Sequence, residues 1–242
     1  MSNTIQDKLA YLEETKNAIK QSIIGKGVEV TDTDTFRSYA DKISSIQSGG
    51  GGTVNIPDGT KFAYSTFTTV SAEIIPYLEQ QTDLSYMFYY CSNLQTIPLF
   101  NTSRVTAMNS MFYGCESLET MVLFDTSRVT TMYSMFSGCI KLTSIPLLNF
   151  SNVTNVSSLF NSTMFYNCKL LTNLGGFTGL KVNLGLQYSP KLTVDSVMNI
   201  INYAADMTSN PQTLTLHKDV FNKLSQEQIA RASAKGWNIA AK

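Results

Sequence analysis

Apolar residues in the middle of the chain recur with a period far longer than that of a strand or a helix. Met87-Phe88, Met111-Phe112 and Met135-Phe136 stand 24 residues apart, and Cys91, Cys115 and Cys139 keep the same step. Leu94, Leu118 and Leu142 follow each cysteine, then Ile97, Met121 and Ile145, then Leu99, Leu123 and Leu147. The polar phrases NTSRVT, DTSRVT and NFSNVT separate these positions and carry Val105, Val129 and Val153, followed by Met108, Met132 and Val156. A fourth pass reaches Leu159-Phe160 in phase; the phrase NSTMF is then inserted, and Cys168 arrives five residues late.

A unit of this length reading L-x-x-I-x-L predicts an α/β solenoid in which each coil supplies one short strand to a parallel ladder. One coil cannot bury its own apolar side, so each copy forms the wall of the next. With strands about 4.8 Å apart, four or five rungs span only about 20–25 Å. The predicted interior holds the Leu, Ile, Met, Phe and Val of each phrase, Met121 and Leu123 included, with cysteine as a small apolar filler. Both ends of such a ladder expose apolar surface and require caps.

The flanking segments fit that requirement. Ile5, Leu9, Leu12, Ile19 and Ile23 lie at helical spacings between about Thr4 and Ile24, and a second helix carries Phe36, Tyr39, Ile43 and Ile46. Each apolar seam is narrow, so residues 1–48 are expected to act as an anchor or oligomerisation segment. The Gly-rich stretch 49–53 reads as a flexible linker. Residues 54–83 are then the N-terminal cap, 84–178 the repeats and 179–242 an α/β C-terminal cap. Within that cap Thr193 suits a helix N-cap before Val197, Ile200, Ile201 and Ala204, TLTL suits a strand, Ser225 with Gln228 forms a capping-box pattern, and Trp237 is placed to cover the last coil.

The M-F-x-x-C-x-x-L and T-S-x-V-T-x-M phrases, from about Leu84 to Phe177, resemble the leucine-rich repeat of BspA-like bacterial surface proteins. The strand phrases IPLFNTS, MVLFDTS and IPLLNFS depart from that family's LDLSNF type, so the resemblance carries over no ligand. The stretch YLEETKNAIKQSIIGKGVEVTDTDTFRSYADKI is similar to the N-terminal segment of structural proteins of bacteriophages and prophages, especially fibre, tail and baseplate-associated proteins. The segment from Leu192 to Ile239 resembles the closing module of repeat proteins of gut phages and their hosts. Together these resemblances imply a non-enzymatic virion protein, a fibre or tail appendage. Its N-terminal helices would meet other virion proteins, and its repeat block would meet a host-surface glycan or protein. A homo-oligomer, by analogy a trimer, is implied as well. The alternative is a bacterial or prophage-encoded adhesin-like protein of the cell surface, and an appendage that cleaves glycans is a third possibility.

Composition narrows the remaining classes. Eighteen acidic residues balance eighteen basic ones and charged residues make up 15%, leaving no broad field for gripping nucleic acid or an anionic membrane. No apolar run is long enough to predict a membrane insertion. The opening residues lack the pattern of a secretory signal, and the phage resemblance implies the virion, assembled in the host cytoplasm, as the expected location.

Cysteines spaced by 24 do not follow metal-site spacing and are expected to be buried thiols. No metal, cofactor or catalytic residue is expected: His217 stands alone without a nucleophile phrase, no phosphate loop follows GGGG or GGFTG, and Glu116 and Glu119 read as solvated charges. The stacked Asn101, Asp125 and Asn149 suit turn chemistry. Arg104 and Arg128 fit either turn or contact, and with Tyr113 and Tyr133 they are the candidate surface-binding residues.

Overall fold

The computed structural model describes residues 61–155 and 164–242, so the expected anchor seam of Ile5, Leu9, Leu12, Ile19 and Ile23, the second helix and the Gly-rich stretch lie outside the described residues. From Lys61 onward the 24-residue units stack on one another with parallel pairing. Asp83, Ala107, Thr131 and Asn155 form one row of bridges, and Thr120, Ser144 and Asn173 form a second. The pairing is backbone chemistry repeated in register. Leu84 N–H donates to Ala107 O, Met108 N–H to Thr131 O and Met132 N–H to Asn155 O, each at 3.0 Å. Regular strands are short: β1 (Ser144–Ile145) pairs with β3 (Asn173–Leu174), and β2 (Leu148–Asn149) with β4 (Phe177–Thr178).

Two columns fill the interior. Phe62, Phe88, Phe112, Phe136 and Phe165 stack face to face at successive centroid separations of 6.2, 5.7, 5.9 and 5.7 Å. Beside them run the buried, unpaired thiols of Cys91, Cys115, Cys139 and Cys168. Each Sγ–H donates to the carbonyl of the preceding unit's phenylalanine, Phe62, Phe88, Phe112 and Phe136 in turn, every time at 3.1 Å. A thiol is small enough for the layer and still supplies a weak donor. The buried hydroxyls of Thr102 and Thr126 link units in the same manner, donating to Asp125 O at 3.0 Å and Asn149 O at 2.9 Å.

Three sequence expectations are corrected. Leu99, Leu123 and Leu147 are not core residues: they are 67%, 61% and 37% exposed. The following residues, Phe100, Phe124 and Leu148, take the interior place, and alternation along an extended backbone turns the preceding leucine outward. Met121 is half-buried rather than interior. In the fourth pass the Met-Phe pair in structural phase is Met164-Phe165: Phe136 N–H donates to Met164 O and its ring stacks on Phe165. Leu159-Phe160 lies outside the described residues.

Both ends of the described stack carry helices. At the N-terminal end a 3₁₀ turn (Ala72–Ile74) leads into α1 (Ile75–Gln80), which has a proline in its first turn and buries Tyr77 and Leu78. At the C-terminal end α2 (Val194–Tyr203) is N-capped by Thr193, whose hydroxyl accepts from Ser196 N–H. The Ser196 hydroxyl joins α2 to the last rung, donating to Thr172 O at 3.0 Å and accepting from Leu174 N–H at 2.9 Å. A three-stranded parallel sheet follows, β5 (Leu184–Leu186), β6 (Gln212–Leu216) and β7 (Trp237–Ala241) in that order. His217 caps the short α3 (Lys218–Phe221), and a complete capping box of Ser225 and Gln228 opens α4 (Gln226–Ala234). Trp237 is fully buried, and its indole N–H donates to Ala205 O at 3.0 Å.

Candidate functional site: a tyrosine platform

Each unit turns sharply on either side of its Met-Phe pair, and these turns require left-handed backbone. The turn after the pair falls at Tyr64, Tyr90, Gly114, Gly138 and Asn167, with φ of 62, 57, 71, 79 and 59°. The turn before it falls at Tyr86, Ser110 and Ser134, with φ of 61, 51 and 53°. Glycine and asparagine suit this region; a side chain as large as tyrosine is held there at a cost of about 1–3 kcal/mol. The N-terminal units thus place Tyr64, Tyr86 and Tyr90 where the later units use small residues. All three are exposed, by 47%, 42% and 40%.

These rings form one surface cluster with Tyr89, Tyr113 and Tyr133. Tyr64 stacks on Tyr90 at 5.5 Å and 6°, and Tyr89 stacks on Tyr113 at 5.1 Å and 26°. Edge contacts join Tyr89 to Tyr90 at 4.7 Å and to Tyr86 at 5.6 Å. The Tyr86 and Tyr133 hydroxyls hydrogen-bond to each other across two units. Glycine at position 114 makes room: a Cβ there would lie 2.7 Å from the Tyr90 ring. Asn109 fixes the far edge, its Oδ1 accepting from Tyr133 N–H at 3.2 Å and from the Thr131 hydroxyl at 2.5 Å.

The phenols depress one another's acidity. The hydrogen bond shared with Tyr133, followed by burial, pushes the Tyr86 hydroxyl up to about 12. Burial first, then neighbouring phenols, raises Tyr89 and Tyr90 above the ordinary value. The face is therefore aromatic and uncharged at neutral pH, with hydroxyls along it.

Of the four surface residues expected from sequence, Tyr113 and Tyr133 belong to this cluster. Arg104 and Arg128 do not: they are exposed beside the turns at Asn101 and Asp125, and among the described residues no ion pair, hydrogen bond or ring contact joins them to the tyrosines. Those turns are Asx turns, in which Ser103, Ser127 and Ser151 N–H groups donate to Asn101, Asp125 and Asn149 Oδ1 at 3.0, 2.9 and 2.9 Å. Hydrogen bonds from Ser127 hold the Asp125 carboxyl below the ordinary aspartate range. Sequence reasoning missed Tyr64, Tyr86, Tyr89 and Tyr90, although SYMFYYC places three of them around the first full Met-Phe phrase. Among the described residues no three His, Cys, Asp or Glu side chains converge as a metal site would, and no helix is long and apolar enough to cross a membrane.

Residues 82–175 match a family described as Mycoplasma protein of unknown function, DUF285. The match runs from the row that begins at Asp83 to just beyond β3, so the likeness is to the stacked units and not to the segments on either side. No curated protein and no solved structure matches the chain.

Proposed function

We propose that the stacked units are coils of a short leucine-rich-repeat-type solenoid, and that the protein is a non-enzymatic fibre or tail appendage of a phage virion. On this reading the solenoid is displayed for host-surface binding and residues 1–48 attach it to other virion proteins. The observation that carries the binding role is the exposed tyrosine cluster. Three of its rings occupy left-handed turn positions where neighbouring units manage with glycine, serine or asparagine. Folding does not call for tyrosine there, and strain kept at an exposed site points to a role in contact. Exposed, uncharged aromatic rings edged with hydroxyls suit the C–H face of a sugar ring, so a host glycan is the favoured ligand and a host protein the alternative.

The test exchanges two of the three tyrosines for the residues that neighbouring units use. Tyr86→Ser with Tyr90→Gly relieves strain but also removes the Tyr86–Tyr133 hydrogen bond, so the fold should be kept with little net change in thermal stability, while binding of the purified protein to host cells is lost. Reduced stability with binding intact would assign the rings to packing instead. Glycosidase treatment of the cells separates a glycan from a protein ligand. A second reading, a bacterial or prophage-encoded adhesin-like protein of the cell surface, draws on the match to a family described from mycoplasma proteins. Immunogold labelling of purified particles and of intact cells distinguishes the two.

A further inference from the structure

A cleft of about 540 Å³ opens at the C-terminal end of the stack, away from the six-tyrosine cluster in sequence and different from it in charge. Four separate stretches line it: Lys169 and Leu170 of the fourth unit, Gln187, Tyr188, Pro190 and Lys191 of the following turn, His217 after β6, and Lys242 after β7. Its volume lies in the range of small-molecule sites. We infer that this cleft binds an acidic saccharide, a sugar bearing a carboxylate or phosphate group, as a site separate from the tyrosine platform.

Three features of the lining specify that chemistry. First, three of the lining residues are lysines, Lys169, Lys191 and Lys242, and no Asp or Glu lines the cleft, in a chain whose formal charge sums to zero. The ammonium groups of Lys181 and Lys235 are occupied, donating to carbonyls of Ser151 and of Ile201 and Asn202; those of Lys169 and Lys191 have no such partner among the described residues. Cations concentrated in one concave site on a neutral molecule select an anion.

Second, Gln187 lines the cleft while its Oε1 is shielded from solvent and accepts no hydrogen bond, so turning its amide toward the cleft would let an unpaired acceptor meet a donor. A sugar hydroxyl supplies one. Third, Leu170, Tyr188 and Pro190 give the cleft apolar walls, with the Tyr188 ring fixed edge-on against Tyr166 at 4.6 Å. Such walls suit the C–H face of a sugar ring and not a bare inorganic anion. His217 Nδ1 accepts from Asp219 N–H at 3.1 Å and lies 3.4 Å from the Asp219 carboxylate, which does not itself line the cleft.

The test is calorimetric titration of the full chain with four probes: a uronic-acid tetrasaccharide, a hexose phosphate, a neutral hexose tetrasaccharide and inorganic phosphate. Binding of the uronate or the hexose phosphate is expected, and comparison of the two assigns carboxylate or phosphate as the recognised acid. The neutral sugar and inorganic phosphate should each bind at least about tenfold more weakly. Lys169→Gln with Lys191→Gln should weaken the acidic probe about tenfold or more and flatten its salt dependence. Gln187→Leu should also weaken it without lowering thermal stability, since that change removes an unpaired buried acceptor. The platform variant Tyr86→Ser with Tyr90→Gly should bind the acidic probe as the parent does, so failure here and failure of host-cell binding are separable. Equal affinity for the neutral sugar, inorganic phosphate binding as tightly as the sugars, an unaffected lysine variant, or no heat with any probe would each overturn the assignment.

Discussion

Truncating Phe112 to alanine tests the interior stack most directly. The ring is fully buried, with Phe88 on one side at 5.7 Å and 7° and Phe136 on the other at 5.9 Å and 7°. Removing a buried phenylalanine side chain costs about 3–5 kcal/mol in transfer and cavity terms. Aromatic pairs add about 0.5–1.5 kcal/mol each beyond area, and Phe112 belongs to three near-parallel pairs, the third with Phe124 at 6.5 Å and 17°, so the upper part of the range is expected, about 4–5 kcal/mol. Against a typical total of about 5–15 kcal/mol that loss is large. Urea denaturation followed by far-ultraviolet circular dichroism measures it. Phe112→Leu, which keeps most of the apolar volume, should lose clearly less. A shallower transition for the alanine variant would be informative too, because units that touch only their neighbours can uncouple when a middle one is damaged. A loss below about 1 kcal/mol, the size of an ordinary substitution, would refute the packing described for the column.

Three further outcomes are expected. Burial pushes the Cys91 thiol up to about 12 and raises Cys115, Cys139 and Cys168 as well, so a thiol reagent at neutral pH should label none of the four until the protein is unfolded, and a reducing agent should leave the melting temperature unchanged; a marked drop on reduction would show that they are paired. The Tyr86 hydroxyl rises from 10.0 to about 12 on folding, so its stabilising contribution is complete below pH 10 and is lost as pH climbs from there toward 12; Tyr86→Phe should flatten that alkaline decline, and phenolate absorbance should show a late-titrating tyrosine missing from the variant. Gly114→Ala forces a side chain into backbone at φ 71° and against the Tyr90 ring, so a loss of at least about 1–2 kcal/mol should accompany a changed near-ultraviolet tyrosine signal.

What the sequence disclosed divides along physical lines. The Met, Phe and Cys positions were legible because each unit meets the same environment and repeats the same answer at the same step. The C-terminal helix starts were legible because a cap is a local bond: Thr193 reaches Ser196, and Ser225 exchanges bonds with Gln228. Leu123 and Phe124 are both apolar and adjacent, and only contact with the neighbouring unit decides which turns inward, so the leucine was misplaced. Met164-Phe165 repeats the spacing to cysteine seen at Met111-Phe112, whereas Leu159-Phe160 keeps only the count from the previous unit; the local spacing prevailed. Four of the six tyrosines escaped for another reason, since the sign of φ at Tyr64 and Tyr90 is visible only once Gly114 and Gly138 are recognised as their structural equivalents, and at Tyr86 once Ser110 and Ser134 are. The basic cleft has no sequence signature, being assembled from four stretches that meet only in three dimensions.

The inter-unit bonds from Cys91, Cys115 and Cys139 to Phe62, Phe88 and Phe112 have a genetic consequence. Each interior unit offers its neighbour on one side the acceptors that it takes from the neighbour on the other. An in-frame duplication or loss of 24 codons therefore inserts or removes a whole unit with every junction rebuilt in kind. The exposed face then lengthens or shortens in steps of about 4.8 Å, while both terminal segments keep their sequence. Slippage between such repeats during replication is thus a route by which the length of that face varies among descendants without passing through unfolded intermediates in sequence space.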